Sequence, residues 1–338
     1  MELQKESENN HHSKTDFETW ASLHRLSKRA ILECLHNCEK SFCWANVSSD
    51  SDPKVTLTHS DCLVIAQNIH KSTFRKSQVE INEFNRVLQI TVTPSTVRER
   101  SYSKVIAKHN RPTRFRIVFK TFDEPADALN LVHEYFHCVQ FYESQCTEIP
   151  PMLRELAAFI GELFFLQYIA SHIKSKYAPL FIAWRKSNRI YVLKYAARLA
   201  LAATSRARYS YEWNYPIARI LSVAIVDMFP REKLAAALSS PSCLTEVVVE
   251  AIELLSELNW SAKHPSLDYE VDRMTSVNSN EYIGISVLQL LRENGTNRAK
   301  IQSIHKVFNL VSRKFSRDDY GLVTDYLLRP YVKNRTIN

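Results

Sequence analysis

A chain of 338 residues, 45% hydrophobic and 24% charged, has the composition of an ordinary globular protein with a sizeable core, which excludes a disordered or fibrous architecture. The net charge of +8 is dispersed, with no zinc finger, RNP-like aromatic set or basic tail, so anionic partners are favoured and nucleic acid is not expected. Only 4 glycines stand against 12 prolines, and long stretches keep helical apolar spacing, so the fold class is α+β and predominantly α-helical.

Residues 1–14 are polar and are expected to be disordered. They hold no apolar leader, and no apolar run of about 18 residues follows. The chain therefore reads as soluble, without a transmembrane segment, and either cytoplasmic or exported by a route without a Sec signal peptide. Seven cysteines, odd in number and irregular in spacing, read as reduced thiols. Thr15 and Glu18 form a capping box, and Phe17, Trp20, Ile31, Cys34, Leu35 and Cys38 keep helical spacing to about Phe42. Cys34 and Cys38 share the apolar face of that helix, which assigns them to the core. Asn46–Lys54 reads as a loop and Ser60–His70 as a helix, with Val55–Thr58 a short strand in the alternative. Val87–Thr93 and Arg114–Lys120 read as strands, the second with Phe115, Ile117 and Phe119 on one face.

Pro125 suits the first turn of the next helix, with Asp123 or Glu124 to cap it, and no Pro or Gly interrupts the chain from Ala126 to Ser144. In mid-helix stands His133-Glu134-Tyr135-Phe136-His137. Imidazoles four residues apart project from one helix face at a separation that suits two ligands of a single zinc ion. Glu134 beside them has the position of a general base. With Asp127 and Asn130 these side chains make a polar arc of about 120° on an otherwise apolar helix. Burying two histidines and a carboxylate without partners is costly, so the arc faces a metal, a hydrogen-bond network or water. Cys138 points about 100° off the arc and is not expected to be a ligand.

After a polar loop, Pro150 and Pro151 set the first turn of a second helix. Glu155 lies about one turn into it, and an antiparallel return brings it towards the histidine face. The segment Pro151-x-x-x-Glu155-Leu-Ala-Ala158 resembles the E-x-x-A/S segment of the gluzincin metallopeptidases, whose third zinc ligand is that Glu. The resemblance covers residues 110–165 and implies Zn2+ held by His133, His137 and Glu155, with Glu134 as the catalytic base. Leu156 departs from it, because many gluzincins have Gly there. Glu162, seven residues on, is similar to the second acid of the oligoendopeptidase F branch; it either orients a ligand imidazole or is a solvated helix charge. The resemblance further implies that strand 114–120 offers an edge to substrate, the alternative being an internal strand.

Helical spacing continues over Leu153–Lys174, Leu180 to about Arg206, Pro216–Phe229, Arg231–Leu238, Leu244–Leu258 and Ile283–Leu291, then Ala299–Phe315 and Tyr320–Leu328. Asn259–Asn280 is a polar connection or lid. The chain thus divides into a disordered 1–14, an N-terminal region 15–143 with a small sheet and the active-site helix, and a helical C-terminal region 144–338. Tyr209–Pro216 resembles the Tyr-Pro stretch of oligoendopeptidase F, which makes Tyr215 the candidate oxyanion donor and Tyr211 the reserve. The expected activity is zinc-dependent hydrolysis of a peptide or protein substrate. The alternatives are a catalytically inactive zincin fold that binds a protein, and a basic helical protein that binds anionic partners.

Overall fold

A computed structural model describes residues 16–41, 57–93, 102–108, 111–120, 124–188, 191–192, 195–203 and 207–257. The expectations for residues 1–14, for the loop Asn46–Lys54 and for everything beyond 257 lie outside these residues. Within them the chain runs α1 (Asp16–Leu23), α2 (Lys28–Ser41), α3 (His59–Thr73), α4 (Gln78–Val87), β1 (Leu88–Thr93), β2 (Tyr102–Lys108), β3 (Arg111–Lys120), α5 (Pro125–Ser144) and α6 (Pro151–His172). There follow α7 (Lys174–Asn188), α8 (Tyr195–Ala202), α9 (Asn214–Met228), α10 (Arg231–Leu238) and α11 (Pro241–Glu257). The protein is α+β and predominantly helical, and no described helix is long and apolar enough to cross a membrane.

Local chemistry explains several boundaries. Thr58 and Asp61 close a capping box on α3, and Ser77 and Glu80 close another on α4. Pro125 opens α5, and the Asp127 carboxylate accepts the Glu124 N–H at 2.9 Å. The single helix expected from Phe17 to Phe42 is instead two. Its break is closed by Leu26 N–H donating to the Ala21 carbonyl, with Arg25 in the left-handed region at φ 53°. Neither Gly nor Pro marks that turn, so the apolar spacing runs through it unbroken. The helix expected over 180–206 is likewise two: α7 ends at Asn188, whose side chain is drawn inward by Arg219.

Two elements had no expectation, α4 and β2, and β2 changes the reading of the sheet. The strand order is β1-β3-β2, with β1 parallel and β2 antiparallel to β3. Strand 114–120 is therefore internal, and the edge on the cavity side is β2. The hydrophobic face of β3 is as expected: Phe115, Ile117 and Phe119 are buried while Arg114 and Arg116 are exposed. β2 is weakly marked in the sequence: Tyr102-Ser-Lys-Val-Ile-Ala-Lys108 carries only a faint polar and apolar alternation, as suits an exposed edge.

The centre of the molecule is α6, buried along most of its length and packed on α5, α7 and α9. Gly161 sets its distance from α5. A Cβ there would lie 2.1 Å from Cγ of Phe136, so a larger residue drives the two helices apart. The start of α6 is pinned from both sides. Gln140 Nε2 donates to the Leu153 carbonyl at 3.2 Å, and Met152 N–H donates to Nε2 of buried His24 at 3.2 Å. His24 Nδ1 in turn donates to the Trp20 carbonyl at 2.8 Å, so both ring nitrogens are used by the neutral imidazole.

Burial pushes the His24 pKa down to about 4 from its ordinary 6.5. Between those values an unfolded chain binds a proton that the folded chain refuses. The contribution of His24 to stability is thus full above pH 6.5 and is lost as pH falls towards 4, a swing on the order of 3 kcal/mol. Denaturant midpoints measured from pH 7 to 4 should fall less steeply for His24→Gln, which does not titrate, than for the wild type.

Candidate metal centre

One helical turn separates His133 from His137, so α5 presents both rings on its inner face, centroids 4.7 Å apart and mutually perpendicular. The Glu155 carboxylate descends from the first turns of α6 onto the same point. His133 Nε2 stands 3.2 Å from Glu155 Oε2, and His137 Nε2 stands 3.8 Å from Oε1. One ligating atom from each of the three lies within 4.8 Å of the others, and all three residues are buried. Glu134 is half-buried beside them on the wall of a cavity of about 500 Å³.

Behind His133 the arrangement is fixed by charge. Its Nδ1 donates to Glu162 Oε1 at 2.8 Å, and the other Glu162 oxygen takes a hydrogen bond from Arg219 Nη1. Arg219 is wholly buried; its Nε donates to Asn188 Oδ1 at 2.7 Å and its Nη2 to Ser187 Oγ at 3.0 Å, while its plane lies over Trp184 and Phe159. Burial favours a neutral Glu162, but Arg219 and His133 outweigh it and hold the carboxyl below its ordinary range. An ionised Glu162 keeps the proton of His133 on Nδ1, which turns the Nε2 lone pair to the cavity.

That tautomer sets the test of whether a cation fits. With Nδ1 protonated, a neutral His133 would face Glu155 lone pair to lone pair at 3.2 Å, and Glu155 Oε2 makes no aligned hydrogen bond despite its burial. A positive charge between them relieves this. Without an ion it is a second proton: burial alone would lower the His133 pKa, yet Glu155 and Glu162 raise it to about 10. Burial likewise opposes the charge on Glu155, but the two imidazoles and Tyr211 hold its pKa down to about 2. His137 is shifted the other way, lowered mainly by burial. Two imidazole nitrogens and one ionised carboxylate are a donor set that suits zinc and comparable divalent ions. One feature is incomplete: buried Nδ1 of His137 has no partner among the described residues, unlike that of His133.

The cavity's other wall comes from Tyr211 and Tyr215. Asn214, fully buried, accepts from Trp20 Nε1 at 2.8 Å and donates to the Tyr209 hydroxyl at 3.0 Å and to the Tyr211 carbonyl at 2.6 Å, which fixes the turn into α9. Tyr211 thereby donates its hydroxyl to Glu155 Oε1 at 2.6 Å. Tyr215 stacks on Tyr195 at 5.4 Å, and its hydroxyl makes no hydrogen bond among the described residues. Burial raises the pKa of both phenols, so both are proton donors.

Every site residue picked from the sequence thus belongs to one constellation: His133, Glu134, His137, Glu155, Tyr211 and Tyr215 line the cavity, and Glu162 stands behind His133 on its ring nitrogen. Cys138 is buried outside it. Three contributors had no expectation: Arg219, Arg154 and strand β2. Arg219 was detectable in principle, because a lone arginine inside Ile217-Ala-Arg-Ile-Leu221 on an otherwise apolar helix needs a buried counter-charge. Compared with known protein families, characterised proteins and solved structures, the chain finds no match.

Glu162→Gln leaves Arg219 buried without its carboxylate. The loss expected is about 3–5 kcal/mol of stability, read from the denaturant midpoint. Chelator competition should show the affinity for a divalent metal lowered by about 10–100-fold.

Proposed function

We propose that this chain is a zinc-dependent metallopeptidase of gluzincin type, which hydrolyses peptide bonds with Glu134 as general base. The observation that carries the reading is the convergence of His133, His137 and Glu155 within 4.8 Å, with Glu134 on the wall of the same open cavity. Held by those three residues, a zinc ion supplies a Lewis acid that polarises a carbonyl and acidifies a water.

The chain's own groups then have distinct tasks. Glu134 takes the proton of the attacking water on its carboxylate and returns it to the nitrogen of the leaving amine. Tyr215, whose hydroxyl makes no hydrogen bond among the described residues and lines the cavity, donates to the oxyanion as it forms. Tyr211 is the weaker candidate for that task, because its proton is already given to Glu155. Arg219 and Glu162 keep the His133 ring from turning. Substrate backbone pairs with the free edge of β2, whose residues Tyr102–Val105 border the cavity.

Glu134→Gln tests the reading. The variant should fold and bind metal as the wild type does while peptide cleavage falls by at least about a hundredfold. Cleavage within a few-fold of wild type would remove Glu134 from the mechanism.

A further inference from the structure

Among the described cavity residues, a half-buried arginine stands without a carboxylate partner. Arg154 precedes Glu155 on α6 and lines the same cavity, half-buried. Its Nε is buried without a hydrogen-bond partner, and no carboxylate among the described residues pairs with its guanidinium. Arg219, the other arginine near the site, is satisfied on every side. The contrast identifies a group held ready for a partner that the described residues do not supply.

We infer that Arg154 forms an anion subsite that selects substrates carrying a carboxylate next to the bond presented to the triad. The inference rests on the hydrolase reading for the peptide nature of the substrate. Three observations carry it. The guanidinium lies 5.8 Å from the Tyr211 ring centroid, and Tyr211 is itself fixed by its bond to Glu155, so the fork is oriented without spending a donor. Lys104, exposed on β2 and without a carboxylate partner among the described residues, adds a second cation to the cavity wall. Those two charges balance Glu134 and Glu155, so a divalent ion at the triad leaves the cavity positive. An unpaired guanidinium there repels the ion unless an anion shares the space, and a planar fork matches a carboxylate in two parallel hydrogen bonds.

The carboxylate has two sources in a peptide, an Asp or Glu side chain flanking the scissile bond or the chain's own C-terminus. The probe is a set of fluorescein-labelled peptides bound to the full-length Glu134→Gln protein with zinc added. The set holds Asp and Glu at each flanking position, the Asn and Gln counterparts, and free-acid against amidated termini. The acid member of one pair should bind about tenfold tighter or more than its amide, and which pair responds names the source. That ratio should collapse towards one in Glu134→Gln/Arg154→Gln and survive in part in Glu134→Gln/Arg154→Lys. Equal binding of acid and amide on the protein with Arg154 intact overturns the inference, as does a preference that outlives Arg154→Gln or a protein that binds none of the peptides. Cleavage by the wild type is scored separately: preference without cleavage sinks the hydrolase reading alone, and cleavage without preference sinks the subsite alone.

Discussion

Glu155 carries one oxygen held by Tyr211 and another facing His133 Nε2 across 3.2 Å, with both groups largely buried on the cavity wall. With Glu162 holding the proton on the far side of the ring, that contact is repulsive unless a cation occupies it. A proton on His133 Nε2 or a divalent metal between the two groups meets that need. Both answers rest on the same fixed tautomer, so the chemistry of the cavity is set by the buried chain Asn188, Arg219, Glu162 and His133 before any ligand arrives.

The scaffold makes that contact by packing α6 against α5 at Gly161. Phe136 on α5 lies where the Cβ of any residue larger than glycine at 161 would be, and His24 and Gln140 hold the opposite end of the contact at the first turn of α6. Separating α5 from α6 would draw Glu155 off the histidines and Glu162 off Nδ1 together. The N-terminal helices matter for the same reason. Trp20 reaches Asn214, which sets the turn that carries Tyr211, so residues nearly two hundred positions away steer the phenol on the Glu155 carboxylate.

The legible part of this protein was local. Pro125 with its acidic neighbours, the i and i+4 histidines, and the proline pair before Glu155 each state their geometry within a turn or two of helix, and α5 and α6 fall where that chemistry places them, as α9 and α10 fall where apolar spacing does. What escaped was either unmarked or long-range. Arg25 turns the chain in a left-handed conformation without a glycine to announce it. β2 is an edge strand of mixed polarity, so β3 could be read as a strand but not as the central one. Arg219 meets Glu162 across 57 positions, and no periodicity encodes such a pairing. Glu162 accordingly had two equal readings in the sequence, and its contact with His133 Nδ1 distinguishes them.

The central claim is that His133, His137 and Glu155 together hold one divalent cation. Its most direct measurement is the zinc content of purified protein after dialysis against a zinc buffer, wild type beside His137→Ala, with circular dichroism to establish that both are folded. The account predicts one zinc per chain for the wild type and none retained by the variant. A folded wild type that retains no metal, or a His137→Ala protein that retains as much, would contradict it.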